Sequence, residues 1–338
     1  DIFAEWRYVK NDESEWVLYK DELDLYPDVY IGRLACRNKK EARIVVDKII
    51  NYEKDAFNKD FFNNFIIVGG DTTPPAHGGK KGLYEGEIET DLAASHLEEI
   101  GFKRTELWAS TGNLTAPSDV VREINEGAGF IFLSGHGNPM SYATHPPDAE
   151  EEGEWIDGLY NFDMALLENK NKLPVCVIGA CHSNQFDVSI LNFFKGLIHE
   201  RLDYFDTEDI GIDSGSFYKF EWWPRCWGWN MVLQKNGGSI ATIGNAGLGY
   251  GGYNKKCTER LDGWITTTFF ENYKNFTMNL GRSNFSIGDV HSKTISDYVS
   301  YYRNNPDPEY AEWEDIKTVE GWTLLGDPSL KIGGVKNN

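Results

Sequence analysis

The chain has 338 residues, with 33 basic and 53 acidic side chains and a formal net charge of −20. Aromatic residues make up 14% and apolar residues 41% of the chain, which excludes a disordered protein because disordered chains lack apolar side chains to bury. An acidic surface repels phosphate backbones, so nucleic acid is not an expected partner. No apolar stretch reaches the roughly 18 residues that a membrane-spanning helix needs, so we predict no such span.

Two features indicate the compartment of the protein. Three Asn-x-Ser/Thr triplets, at Asn113, Asn275 and Asn284, are typical of exported proteins and lead us to expect a secreted or cell-surface protein. The chain opens at Asp1 without the segments of a signal peptide, so we expect a mature form or a fragment. Five cysteines at this length exclude a disulfide-dense scaffold and leave at least one thiol unpaired within the chain.

Strand and helix patterns alternate along the chain. Continuous apolar runs predict strands buried on both faces, as in a parallel sheet, and apolar residues at helical spacing predict helices. In chain order we predict a strand at 29–34, a helix at 39–54, a strand at 65–68, a helix at 90–100, a strand at 105–109, a helix at 118–125 capped by Ser118, a strand at 130–133, an acidic loop at about 143–157, a short helix at 163–169, a strand at 175–178, a helix at 226–234, a strand at 239–243, helices at 259–273 and 287–302, and short strands at 322–325 and 329–332. This alternation predicts an α/β fold with a mainly parallel sheet and helices on both faces.

Two of the predicted buried strands end in reactive residues. One leads into a Gly-His-Gly sequence that contains His136, and the next leads into a Gly-Ala-Cys sequence that ends at Cys181. Functional groups in open α/β sheets lie at the carboxyl ends of strands, so these two side chains should meet if the strands are neighbours. An imidazole beside a thiol can generate the nucleophilic thiolate. The backbone N–H groups of Gly137 and Cys181 could then face a developing oxyanion.

Both residues also have structural interpretations. A lone His or Cys after a strand is more often structural than functional, and it is their joint placement that favours chemistry. A zinc site built from Cys181, His136, His145 and His182 fits by residue type, but the spacing matches no standard zinc pattern. The identity of any metal therefore stays open.

Six short segments follow one another in the order of a known family. They are Tyr-Ile-Gly-Arg-Leu at 30–34, Ile-Ile-Asn-Tyr-Glu at 49–53, Ser-Gly-His-Gly at 134–137, Gly-Ala-Cys at 179–181, Gly-Ser-Ile-Ala-Thr-Ile at 238–243 and Leu-Gly-Asp-Pro-Ser-Leu at 325–330. Through them the chain resembles the gingipain-type cysteine peptidases, which share the caspase-like fold. The resemblance implies a caspase-like three-layer αβα sandwich over residues 29–334. Residues 1–28 would be a connector or the remnant of an upstream subdomain.

The resemblance also implies the chemistry of an endopeptidase that works through a thioester. Cys181 would attack the carbonyl carbon, and His136 would protonate the leaving amine and later activate water. Gly137 and Cys181 would hold the oxyanion through their N–H groups. In this family an acidic residue supports the histidine, and Asp71 falls at about that place, although the family residue is typically Glu. Glu85 and Glu87 are rival candidates for this role.

A substrate pocket is implied by the same resemblance. Arginine-specific members carry an acidic pocket residue just after a Gly-Glu pair, where this chain has Glu89, with Asp91 close by. A buried carboxylate there would favour Arg or Lys before the scissile bond. The structural alternative is an acidic first turn of a helix, which needs no substrate. An aromatic pocket wall in the family falls near Tyr250, inside a loop that is rich in glycine.

Cofactors and access complete these expectations. No cofactor is required for thioester chemistry, but members of this family often carry structural calcium. Five acidic residues form a loop that could bind it or could simply be solvated: Asp203, Asp206, Glu208, Asp209 and Asp213. The acidic insertion at 148–154 is expected to restrict access to the site.

Protein or peptide substrates are the expected partners, and the oligomeric state is open. Two other functions compete with peptide hydrolysis. One is a thioester-based transpeptidase or ligase, which would pass the acyl group to an amine. The other is a non-catalytic binding module that keeps the peptidase fold, which the paired His136 and Cys181 disfavour.

Overall fold

The structure, a computed structural model, describes residues 6–10, 16–20, 23–205 and 216–336. The strands are β1 (Trp6–Lys10), β2 (Trp16–Lys20), β3 (Asn64–Gly69), β4 (Lys103–Trp108), β5 (Phe130–Ser134), β6 (His136–Gly137), β7 (Ser141–Thr144), β8 (Ile156–Tyr160), β9 (Val175–Gly179), β10 (Ala241–Asn245) and β11 (Trp322–Leu325). The α-helices are α1 (Lys39–Asp55), α2 (Glu85–Glu98), α3 (Pro117–Glu126), α4 (Ile190–Glu200), α5 (Trp227–Leu233), α6 (Leu261–Leu280), α7 (Ile287–Asn304) and α8 (Glu312–Gly321).

A six-stranded sheet forms the centre of the molecule, in the order β11-β10-β9-β5-β3-β4. Its strands pair in parallel, apart from β11, which runs antiparallel to β10. The predicted mainly parallel sheet is therefore confirmed. Strands β6, β7 and β8 form a small antiparallel sheet beside it, and β1 pairs with β2. The small sheet was not predicted, and β7 and β8 narrow the predicted acidic loop to residues 145–155.

The continuous apolar runs are explained by two cores, one on each face of the sheet. In β3, Phe65 and Ile67 enter the core that α2, α6 and α7 cover, whereas Ile66 and Val68 enter the core that α3 and α5 cover. Strands β5 and β9 divide their side chains in the same way. A strand with helices on both faces must be apolar at every position. The predicted three-layer αβα arrangement is therefore confirmed.

Two predicted strands are wrong. Residues 29–34 run along the edge strand β11, but the backbone hydrogen bonds described between this segment and the sheet edge come from one residue: Arg33 donates to the Leu324 carbonyl (2.9 Å) and accepts from the Gly326 N–H (3.1 Å). A single bonded residue does not make a ladder, and the neighbouring Ile31 is 71% exposed. Residues 329–332 form turns and irregular backbone rather than a strand.

Helix bounds differ from the prediction in several places. Helix α6 extends to Leu280 rather than ending at 273, and the short helix predicted at 163–169 is a 3₁₀ helix over Asp163–Leu166. Helix α2 begins at Glu85 rather than 90. Helix α3 begins at Pro117, with Ala116 rather than Ser118 as its N-cap residue. The Asp119 carboxylate caps this end by accepting hydrogen bonds from the backbone N–H groups of Thr115 (3.0 Å) and Ala116 (3.2 Å). Helices α4 and α8 were not predicted. Within the described ranges no helix has the length and hydropathy of a membrane span.

A buried ion pair ties α6 to α8. Arg260, the residue before α6, donates from Nε to Oδ1 of Asp315 over 2.8 Å, and Nη2 pairs with Oδ2 of the same carboxylate. The Tyr298 hydroxyl donates to Asp315 as well, over 2.7 Å, and Arg260 Nη1 donates to the Asn305 carbonyl over 2.7 Å. These bonds hold the first turn of α6 in place, because both charged groups are buried and satisfied.

We predict that Asp315→Ala lowers the free energy of unfolding by about 3–5 kcal/mol, because it leaves the buried Arg260 guanidinium without its carboxylate. The matched control is Lys293→Ala, which removes an exposed pair with Asp297 on α7 and should cost at most about 1 kcal/mol. Urea unfolding followed by circular dichroism measures both losses. Equal losses in the two variants would contradict the role assigned to the Arg260–Asp315 pair.

Candidate active site

The register between β5 and β9 places His136 and Cys181 at one point of the sheet edge. Ser134 pairs with Gly179 as the last rung of this parallel ladder, and the N–H of Gly135 donates to the Gly179 carbonyl over 3.1 Å. His136 and Cys181 each lie two residues beyond this rung. Both side chains line one cleft. The structure thus brings the two predicted catalytic residues together.

Gly137 approaches the nucleophile segment more closely than any other residue type could. A Cβ atom at this position would lie 2.9 Å from the Cβ of Ala180 and 3.1 Å from the carbonyl oxygen of Cys181. Glycine is required here because real Cβ atoms do not tolerate such contacts. The backbone of Gly137 therefore lies directly against that of Cys181, as an oxyanion site shared by their N–H groups would need.

The Cys181 thiol is partly enclosed by the glycine-rich loop after β10. The Gly249 N–H donates to Sγ over 3.3 Å, and Sγ lies 3.4 Å from the Gly249 carbonyl oxygen. Burial raises the pKa of Cys181 above that of an ordinary thiol, although the Gly249 N–H opposes this shift. The cysteine is therefore a neutral thiol in the resting site.

The His136 imidazole contacts a backbone carbonyl rather than a carboxylate. Its Nε2 lies 2.8 Å from the carbonyl oxygen of Thr72. Because a carbonyl oxygen can only accept, the ring carries a proton on Nε2, and the neutral ring keeps the lone pair on Nδ1. Burial lowers the pKa of His136, so the resting ring is neutral. Nδ1 is the nitrogen left to exchange a proton.

Asp71, which was predicted to support His136, precedes the residue that contacts the imidazole, but its own carboxylate makes no described hydrogen bond to His136. It is buried, and its Oδ2 accepts from the backbone N–H of Asp148 over 3.0 Å. Its Oδ1 has no hydrogen-bond partner among the described residues. Burial raises the pKa of Asp71 to about 6. The residue that contacts the imidazole is its neighbour Thr72.

The two rival acids, Glu85 and Glu87, also bond away from the imidazole. Glu85 accepts from the Thr72 hydroxyl (3.4 Å) and from the backbone N–H of Asn254 (3.1 Å). Glu87 accepts from the backbone N–H of Ser110 (2.8 Å) and from its hydroxyl (2.6 Å). Of the two, Glu85 is the one connected to Thr72, and Glu87 faces the loop that follows β4.

Of the predicted pocket residues, the structure places Glu89 in the cleft but not Asp91 or Tyr250. Glu89 is buried on α2, lines the cleft with His136 and accepts from the Ser134 hydroxyl. Burial raises the pKa of Glu89 to about 8. Asp91, by contrast, points to the surface and pairs with Arg104. The Tyr250 ring packs edge-on against Trp313 at 5.4 Å, and the aromatic residue that lines the cleft is Tyr253.

The cleft is lined by a second carboxylate, which the sequence analysis missed. Asp262, in the first turn of α6, is 7% exposed and accepts from the side-chain amide of Asn245 through Oδ2. No hydrogen-bond partner of its Oδ1 lies in the described ranges. Burial raises its pKa to about 7. Its only signal in the sequence is an acid at the start of a predicted helix, which is an ordinary place for one.

The structure describes little of the predicted calcium loop. Asp206, Glu208, Asp209 and Asp213 lie outside the described residues, as does the side chain of Asp203. In the part of the chain that the structure does describe, no group of three or more His, Cys, Asp or Glu side chains could hold a metal ion. All five cysteines are described, and each is a free thiol.

The chain is similar in sequence to known peptidases. It matches peptidase family C25 over residues 4–333. Gingipain R2 and gingipain R1 of Porphyromonas gingivalis are each 22% identical to it over 191 residues, which is 56% of this chain but only 24% and 18% of theirs. The chain thus spans about a quarter or less of these relatives.

Two solved structures share the fold. The crystal structure of the Arg specific cysteine proteinase gingipain R aligns with a TM-score of 0.60 at 16% identity and covers 91% of this chain and 56% of that one. The complex of the pro- and mature domains of RgpB from Porphyromonas gingivalis aligns with a TM-score of 0.59 at 16% identity, over 91% and 58%. With a family match that extends over nearly all its length, the chain belongs to peptidase family C25, the gingipain-type cysteine peptidases.

Proposed function

We propose that this chain is a cysteine endopeptidase that hydrolyses peptide bonds through a thioester on Cys181. The observation that carries the proposal is the joint position of Cys181 and His136, each two residues past the same rung of two neighbouring strands and both lining one cleft. Family membership supports the same chemistry. The division into a connector at 1–28 and a catalytic domain at 29–334 stays a prediction.

The proposed reaction starts from a neutral pair. Sγ of Cys181 attacks the carbonyl carbon while its proton passes to Nδ1 of His136, which the Thr72 carbonyl leaves as the proton acceptor. The N–H groups of Gly137 and Cys181 bind the oxyanion. The imidazolium then gives its proton to the leaving amine as the C–N bond breaks. In the second half, His136 takes a proton from water as the water oxygen attacks the thioester carbon. The C–S bond then breaks, and the imidazolium returns the proton to Sγ of Cys181.

We further propose that the cleft takes Arg or Lys before the scissile bond. Glu89 and Asp262 place two buried carboxyl groups in the wall of the cleft that holds the nucleophile. Burying a carboxylate without a cation is costly, so a guanidinium or ammonium of the substrate would supply the missing charge. One solved relative of the same fold is an Arg specific proteinase by its title. Tyr250 stays a predicted wall of the substrate pocket. Its neighbours Gly249 and Gly251 line the cleft, whereas Tyr250 itself is not among the lining residues.

The competing functions predict different products. A transpeptidase or ligase would also label at Cys181 but would join the acyl group to an added amine instead of water. A binding module would neither cleave nor label. We also propose that the protein is secreted or displayed at the cell surface, supported by the exposure of Asn113, Asn275 and Asn284. A structural calcium ion at residues 203–213 is a proposal from the family resemblance.

We predict that a panel of fluorogenic peptides varied at the residue before the scissile bond is cleaved after Arg or Lys, with and without calcium. Cys181→Ala should lower the cleavage rate to background, because it removes the nucleophile. The matched control is Cys36→Ala, which alters a thiol outside the cleft and should leave the rate within about twofold. Equal loss in both variants would contradict the assignment of Cys181. Transfer to added amine with little hydrolysis would favour a ligase.

We predict that Glu89→Gln and Asp262→Asn each lower kcat/KM for arginyl peptides at least about 30-fold, which corresponds to the roughly 2 kcal/mol lost when one partner of a buried charge pair is truncated. Citrulline peptides, which have the same shape without the charge, should be affected much less. Asp91→Asn is the matched control, since Asp91 lies on the surface. Loss of activity on arginyl and citrulline peptides alike would contradict a pocket role.

The raised pKa values of the two acids set the expected pH dependence. Glu89 and Asp262, with pKa values of about 8 and about 7, are protonated in acid and ionised in base, and a bound cation favours the ionised form. Benzamidine, a small amidinium, should therefore bind Cys181→Ala more tightly as the pH rises from 6 to 9, with proton release measurable by calorimetry in two buffers. An affinity that does not change with pH would contradict this account of the pocket.

A further inference from the structure

Two aromatic rings pack against the His136 imidazole. The ring centroid of His145 lies 5.3 Å away at 74°, and that of Trp155 lies 5.2 Å away at 88°. These two rings stack on each other at 3.8 Å and 33°. The imidazole therefore stands nearly perpendicular to a pair of stacked rings, while its Nε2 is bound by the Thr72 carbonyl.

Both rings belong to the loop at 145–155, which joins β7 to β8. The His145 ring is fixed in turn by its Nδ1, which lies 2.6 Å from the Glu154 carbonyl oxygen. Burial lowers the pKa of His145 to about 4, so this second ring is neutral and does not repel an imidazolium at His136. Trp155 is 47% exposed and does not belong to either hydrophobic core on the faces of the sheet.

The loop is anchored to the segment that follows β3. Asp71 and His145 form a backbone bridge, in which the His145 N–H donates to the Asp71 carbonyl over 3.2 Å. The Asp71 carboxylate accepts from the N–H of Asp148 over 3.0 Å, and the Asp148 carboxylate accepts from the N–H of Gly82 over 2.7 Å. The N–H of Ala76 donates to the Ala149 carbonyl over 3.0 Å. Asp71 is thus part of the support of the loop.

A carboxylate that bonds directly to His136 is not present among the described residues. The orientation of the ring depends instead on one carbonyl and on two rings of an anchored loop. Proton transfer requires the imidazole to stay within a few tenths of an ångström of its productive position, so a group that limits its rotation contributes to the rate without touching substrate.

We propose that Trp155, backed by His145, is a positioning residue for the catalytic imidazole, and that Asp71 acts on His136 through this loop rather than by direct contact. The proposal rests on the proposed function of His136 as general acid and base. It gives the insertion at 148–154, which lies between the two rings, a supporting role in catalysis. The restricted access expected from the sequence stays a prediction.

Trp155→Ala should lower kcat for the preferred peptide at least tenfold and leave KM within twofold, because the substrate pocket is unchanged. Trp155→Phe, which restores a ring, should recover most of the loss. Phe162→Ala is the matched control: it removes a 59% exposed ring that stacks on Tyr160 just beyond the same strand β8, away from His136. A rise in KM with kcat unchanged in Trp155→Ala would overturn the proposal. An equal loss of kcat in Phe162→Ala would overturn it as well.

The Asp71 part of the proposal has its own pair of variants. The amide oxygen of Asn can still accept from the Asp148 N–H, so Asp71→Asn should lose less than fivefold in kcat, whereas Asp71→Ala should lose as much as Trp155→Ala. If Asp71 supported the imidazolium by its charge, Asp71→Asn would lose several hundredfold or more, as removal of such a charge does in other triads. That result would overturn the indirect role.

A measurement without turnover separates this proposal from the proposed function. In ¹⁵N-histidine NMR spectra, the Nε2–H of His136, assigned with His136→Gln, should be protected from exchange with water in the wild type and in Trp155→Phe. It should be exchange-broadened in Trp155→Ala. Retention of the protected signal in Trp155→Ala overturns the positioning role whether or not peptides are cleaved. If the wild-type protein cleaves no peptide but Trp155→Ala loses the protected signal, the positioning role is supported and the peptidase proposal fails.

Discussion

The pairing of Ser134 with Gly179 is the constraint on which the rest of the site depends. In a parallel ladder the two chains leave the sheet at the same height, so residues equally far from the last rung emerge side by side. The two backbones also come close together beyond this rung, because a side chain at Gly137 would collide with Ala180. The meeting of His136 and Cys181 is thus a consequence of strand register. The two apolar cores fix this register, because slippage by one residue would exchange every buried side chain between the faces.

Desolvation sets the electrostatics of the cleft. It keeps the Cys181 thiol and the His136 imidazole neutral and raises the pKa values of Glu89 and Asp262. Among the described residues the cleft wall has no Lys or Arg beside these carboxyl groups, which is the observation behind the proposed preference for a cationic substrate side chain. In the proposed mechanism the thiol is activated in the substrate complex rather than in the resting protein.

Much of the fold and the reactive pair could be predicted from the sequence because the signals are local. Continuous apolar runs such as Phe65 to Val68 occur where both faces of a strand are buried. The family resemblance is carried by six short segments that follow one another in the family's order. The position of Glu89 followed from that resemblance as well, and the structure places it in the cleft with His136. Each apolar run and each of the six segments is a pattern of residues within a few positions of one another, so it can be recognised without knowing the contacts between them.

The remainder depends on contacts between distant segments, which leave no local pattern. Asp262 enters the cleft because α6 starts beside it, and Trp155 reaches His136 because Asp71 anchors its loop. The strand predicted at 29–34 failed for a related reason: apolar residues with the right spacing still need a partner along their length, and the edge strand β11 supplies one for Arg33. Sequence spacing cannot show which partner an extended segment finds.

The most direct test of the account is covalent labelling with two matched peptidyl acyloxymethyl ketones, one with arginine and one with citrulline next to the reactive carbonyl. The account predicts a single adduct on Cys181, located by peptide mass mapping, that forms much faster with the arginine probe. Labelling of another cysteine, or equal rates for the two probes at Cys181, would contradict a nucleophile that faces a pocket for a cation.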